Sequence, residues 1–195
     1  MALTVVAALI SAGLVYALGP WWGAPVKHQH RLWAAVITGV IGLVVGALVN
    51  HPVGAWWFMP MIALLIIVAV VDRIHQIIPN RLVLLTAAWA LVARIHDGHW
   101  LSATLLALAV FSFYLAINVV TRGGMGMGDV KFSAVLALAL GYPLGIISVV
   151  VGMWAAGIYA AVLLVLRRES SRRFMALGPF LAIGGLAGLL MMLHG

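Results

Sequence analysis

Apolar stretches close to bilayer-spanning length recur from one end of the chain to the other, and nothing else in the sequence restricts the fold as tightly. A helix crossing the hydrocarbon core needs about 20 mainly apolar residues, because each residue advances the axis by only ~1.5 Å. Segments 2–18, 32–49, 56–71, 82–95, 101–120, 144–166 and 174–193 approach or reach that length, and 130–140 is a shorter eighth. Breaks such as Gly19-Pro20-Trp21-Trp22, Asn50-His51-Pro52 and Gly141-Tyr142-Pro143 separate them. Glycine and proline interrupt helices, and tryptophan favours the membrane–water boundary. Only 8% of the 195 residues are charged, where soluble domains average about 25%. The chain therefore reads as all-α: a polytopic integral membrane protein of about eight hydrophobic segments, six to eight of them spanning, in a single domain over residues 1–195.

The basic residues give an orientation. Lys27, Arg31, Arg73, Arg81, Arg122, Lys131, Arg167, Arg168, Arg172 and Arg173 follow odd-numbered segments, and Arg94 alone follows an even-numbered one. By the positive-inside rule the odd loops are cytoplasmic and both termini lie outside. The net charge of +7 is spread over short loops instead of lining one face, so the expected surround is a lipid bilayer and no nucleic acid partner. Cysteine is absent, which removes disulfides and thiolate metal sites. His28, His30, His96 and His99 lack further ligands nearby and read as solvated loop residues, so no metal or cofactor is expected. Residues 1–18 are apolar without a basic start and read as a retained helix, not a cleaved signal peptide.

Four acids remain to be explained: Asp72, Asp97, Asp129 and Glu169. Glu169 lies among arginines in a cytoplasmic loop and Asp97 beside Arg94 on the opposite side, so both read as solvated. Asp72 and Asp129 share the cytoplasmic side at helix ends, each near a helix-breaking feature: Pro79-Asn80 after the first, Gly123 to Gly128 before the second. An acid at the edge of lipid is expensive unless paired or wet, so each marks a functional site. Two carboxylates brought together cannot both ionise cheaply and share one proton, which suits them to acid–base hydrolysis of an amide. The same pair could relay protons in a small proton-coupled transporter, although no internal repeat supports that reading. Gly126 and Gly128 would let a substrate backbone approach Asp129. Segment 130–140 covers roughly 17 Å at 1.5 Å per residue, too short to span alone, which places Asp129 recessed toward the membrane interior and Asp72 near the cytoplasmic interface.

Gly126-Met127-Gly128-Asp129-Val130-Lys131 resembles the GxGDxK motif of the type IV prepilin peptidases, a family of GxGD membrane aspartic proteases. Asp72-Arg73-Ile74-His75-Gln76-Ile77-Ile78-Pro79-Asn80 is similar to the family's other active-site segment, and Gly178-Pro179-Phe180-Leu181 to the stretch that opens its last helix. The resemblance covers residues from about 55 to 190. It implies that Asp72 and Asp129 are the catalytic pair, with Gly126, Gly128, Lys131, Pro79, Gly178 and Pro179 shaping the site or touching substrate. It further implies an endopeptidase of the inner membrane that removes the basic leader of prepilin-like proteins at the cytoplasmic face. Three roles fit Lys131: lowering the first pKa of the pair, contacting substrate or lipid headgroups, or anchoring the inside face. Bifunctional members carry a large zinc-binding CxxC loop after the first helix and methylate the new pilin N-terminus. Here the loop is short, Gly19 to Arg31, and cysteine-free, so the resemblance is to the compact, peptidase-only form without N-methylation.

Overall fold

The computed structural model describes residues 2–22, 26–48, 52–166 and 176–194. The described residues form eight α-helices: α1 (Ala2–Ala17), α2 (His28–Leu48), α3 (Pro52–His75), α4 (Asn80–His96), α5 (Trp100–Val120), α6 (Met127–Leu140), α7 (Leu144–Val165) and α8 (Gly178–His194). A short 3-10 turn, Gly19–Trp21, follows α1, and no strand occurs among them. Three segments, Phe58–His75, Trp100–Val120 and Leu144–Val165, are long and apolar enough to cross a membrane. Glu169 and the arginine cluster around it lie outside the described residues.

Two helices are buried on nearly every side. In α3 the run Met61 to Val68 is buried throughout, and in α6 so are Val130 and Phe132 to Ala137. Helix α6 is about 21 Å long by its rise per residue, too short to reach across a hydrocarbon core. It is walled instead by its neighbours: it packs against α4, α5, α7 and α8. The outer helices show the opposite pattern, with 11% of the α5 span and 22% of the α7 span buried. Leu105, Leu108, Phe113, Trp154 and Ile158 face outward, an apolar exterior that suits a lipid surround.

Several boundaries differ from those expected. Helix α3 continues past Asp72 to His75, so Asp72 sits inside the last turn of a helix and not at its end. Helix α6 begins at Met127, three residues before the apolar run, which makes the second half of the glycine-rich motif helical. Gly178-Pro179 opens α8, as the resemblance implied. Proline is well tolerated in a first turn, where its missing N–H has no helical partner anyway. Arg94, expected in a loop, is buried in the last turn of α4, its Nη2 2.9 Å from Asp97 Oδ2. His28 is exposed as expected, with its Nε2 2.7 Å from the Tyr16 hydroxyl.

Helices α7 and α8 cross with their backbones in contact. A Cβ on Gly152 would lie 2.8 Å from the Phe180 carbonyl, and one on Gly184 would overlap the Ser148 carbonyl. Small residues at a crossing let two helices approach closely enough for dispersion to hold them in an apolar surround. Overpacking costs roughly 1–3 kcal/mol. Gly184→Leu is therefore expected to lower the melting temperature in detergent by about 5 °C or more. Gly157→Leu on α7 is the control, because a Cβ there meets nothing within 4 Å; it is expected to leave the melting temperature unchanged.

Candidate functional site

Asp72 continues the buried face of α3. Leu65, Val68 and Asp72 recur at helical spacing, and the aspartate is 3% exposed. A carboxylate so placed needs a donor, and α8 supplies one: the Gly178 N–H donates to Asp72 Oδ2 at 2.7 Å. The first N–H groups of a helix have no helical acceptor and carry its positive pole, which makes them good partners for an anion. Only glycine fits at this position. A Cβ would stand 2.8 Å from both the Cβ and Oδ2 of Asp72.

After Asp72 the chain reverses quickly. The Gln76 N–H closes on the Asp72 carbonyl at 2.7 Å with Gln76 at φ 55, and residues 77–79, outside any helix, lead into α4. Pro79, at φ −64 and ψ 137, is the N-cap of α4, and its carbonyl accepts from the Leu82 and Val83 N–H groups. Ile78, 6% exposed, lies against Gly128, where a Cβ would be 3.0 Å from the Ile78 Cβ and 3.3 Å from its carbonyl oxygen. Gly128 thus sits within a helix and admits a neighbouring backbone, instead of belonging to the open loop its sequence suggested.

Asp129 occupies the third position of α6. Gly126, extended at φ −62 and ψ 135, is the N-cap, and its carbonyl accepts from Asp129 and Val130 at 3.0 and 3.2 Å. The acid folds back toward this cap, so that a Cβ on Gly126 would be 2.8 Å from Asp129 Oδ2. That is the return half of a capping box, in which the third residue reaches back to the cap N–H. Asp129 Oδ1 is buried without a protein hydrogen-bond partner. Burial first, and the nearby Asp72 charge second, push the Asp129 carboxyl up to about 7, against a lowering by the Gly126 N–H. The charge of Asp72, 57 positions away in sequence, thus contributes to the rise at Asp129.

The remaining expected residues also gather at this end. Gly178 touches Asp72 and Pro179 follows it in the first turn of α8. Lys131 makes no ion pair with either acid; its Nζ donates to Asn80 Oδ1 at 3.0 Å. One amide is absent from the sequence reading: Asn118, whose Nδ2 donates to the Met125 carbonyl and ties the glycine segment to α5. The available signal was an amide in a mainly apolar helix, which needs a partner wherever it is shielded from water. A separate cavity of about 120 Å³, lined in part by Phe58, Trp89, Arg94 and Leu189, lies near the other ends of the helices. Arg94 is fourteen residues along α4 from Asn80, about 21 Å by helix rise, so that cavity is not where the acids meet.

Comparison with known proteins gives the chain's family. Residues 59–161, which include both acids, match the type IV leader peptidase family. The prepilin leader peptidase/N-methyltransferase of Bacillus subtilis (strain 168) is 31% identical over 131 residues, 66% of this chain and 53% of that protein. The proteins of the same name from Stutzerimonas stutzeri and Pseudomonas aeruginosa are 29% and 30% identical, covering 76% and 65% of this chain and 55% and 46% of theirs. The chain thus spans about half the length of the curated relatives it matches. No solved structure matches it. With more than half of its residues, Asp72 and Asp129 among them, inside the family match, the chain belongs to the type IV leader peptidase family.

Proposed function

We propose that the chain is a membrane-embedded aspartic endopeptidase that removes the leader peptide of prepilin-like proteins. In this reading it is a multi-pass protein of the inner membrane, with both termini outside and the acids toward the cytoplasm, as the basic loops favour. The observation that carries it is the pairing of Asp72 with Asp129: two of only four acids, on two different buried helices, coupled electrostatically within the family-matched region. The cysteine-free sequence favours peptidase activity without methylation.

The two environments divide the labour. Asp72, holding a main-chain N–H, is the ionised member; Asp129, with a buried oxygen lacking a donor, is the protonated one. Asp72 takes a proton from water as the water oxygen bonds to the scissile carbonyl carbon, and Asp129 gives its proton to the carbonyl oxygen. When the tetrahedral diol collapses, Asp72 passes its proton to the leaving nitrogen and the C–N bond breaks. A diol hydroxyl returns a proton to Asp129, which restores both groups. Ile77 and Met127 are exposed on the two segments that carry the acids, offering apolar contact to the substrate helix beside its cleavage point.

Co-expression with a prepilin of basic leader and apolar helix tests this directly. Asp72→Asn and Asp129→Asn are each expected to reduce leader cleavage by about 100-fold or more; cleavage by either variant at the wild-type rate would rule out the pairing. Asn in place of Asp129 also removes a charge that burial disfavours, so above pH 7 that variant is expected to melt no lower than wild type. The pH dependence follows from the same group. Asp129 is protonated below its raised pKa and loses its proton above it, so cleavage is expected to fall as pH rises through about 7; a rate still climbing well above that pH would contradict the assignment.

A further inference from the structure

The two acids come from helices whose shared scaffold is indirect, which raises the question of what sets their separation. Asp72 is tied to α8, and Asp129 to the cap of its own helix. A side-chain bond joins the two segments to each other: Lys131 Nζ to Asn80 Oδ1, at 3.0 Å across 51 residues of sequence. Asn80 is eight residues beyond Asp72, through the non-helical segment 77–79; Lys131 is two beyond Asp129 on the same helix. Between these points Ile78 rests on Gly128 with little room to spare. The apolar contact of Ile78 with Gly128 is not directional, whereas the Lys131–Asn80 bond is.

Building on the aspartic-peptidase reading above, we infer that Asn80 and Lys131 are positioning residues whose hydrogen bond clasps the two acid-bearing segments in the register the reaction needs. Lys131 acts through Asn80, not through its charge on the acids or on lipid. An ammonium hydrogen-bonded to an amide oxygen is strong enough to serve, because bonds with one charged partner exceed neutral ones. Near-attack geometry is also unforgiving, since a displacement of about 1 Å can lower a rate 100-fold.

The test uses the full chain, purified in detergent, with a prepilin substrate. Asn80→Ala and Lys131→Met are each expected to lower kcat by about 10- to 100-fold with KM little changed, and the double variant to be no worse than either single. Exchanging the partners, Asn80→Lys with Lys131→Asn, is expected to recover most of the rate. A readout independent of activity comes from spin labels on Ile77→Cys and Met127→Cys, one exposed position on each segment in a chain with no cysteine of its own. Their distance distribution is expected to broaden in either single variant, to broaden no further in the double, and to narrow again in the exchanged pair. Losses that multiply, an exchanged pair as slow as the singles, or an unchanged distribution would each overturn the clasp. Absence of cleavage by the wild type would overturn the peptidase reading instead, and the label distances would still decide whether the clasp exists.

Discussion

A carboxyl group shut among apolar helices must be protonated, paired or hydrogen-bonded, and the architecture around Asp72 and Asp129 meets that condition differently for each. Helix α8 begins where Asp72 needs a donor, and the third position of α6 turns Asp129 back toward its own cap while leaving one oxygen unpartnered. Because the two groups also act on one another, neither environment is independent of the other. In the proposed reaction this asymmetry gives two chemically identical side chains opposite tasks, one to accept a proton and one to give it.

The supporting structure follows from where those groups sit. Helix α8 can deliver the Gly178 N–H only if it lies close on its neighbours, and the glycines at its crossing with α7 permit that approach. Helix α6 is too short to stand in a membrane unaided, yet its burial on nearly all sides lets it hold an acid at one end while α5 and α7 face outward. The glycine segment is less a flexible loop than a set of fixed joints. Gly123, at φ 86, ends α5 with its N–H on the Asn118 carbonyl, and Gly126 starts α6.

Much of this was legible in the chain. Eight apolar segments predicted eight helices, and the scarcity of acids singled out Asp72 and Asp129. What escaped depended on contacts distant in sequence. Hydropathy could not extend α6 back to Met127, because a glycine-rich stretch reads as a break until a cap and a packed neighbour make it helical. It could not show that Gly178-Pro179 starts a helix at Asp72, since the partner lies 106 positions away. Lys131 was legible as a charge but not as a bond, because Asn80 looked like turn chemistry beside Pro79. Arg94 was assigned to a loop on charge alone, whereas its ion pair with Asp97 lets it be buried.

The central claim is that Asp72 and Asp129 form one titrating unit. Infrared difference spectroscopy of the carboxyl band, followed against pH in the wild type, Asp129→Asn and Asp72→Asn, measures this without reference to substrate. A protonated carboxyl should be lost near pH 7 in the wild type and be missing at that pH in Asp129→Asn. In Asp72→Asn the same titration should move to lower pH, since the neighbouring charge that raises it is gone, while burial keeps it above the usual carboxylate range. A titration unchanged by Asp72→Asn would mean that the two acids do not sense each other, and would contradict the account.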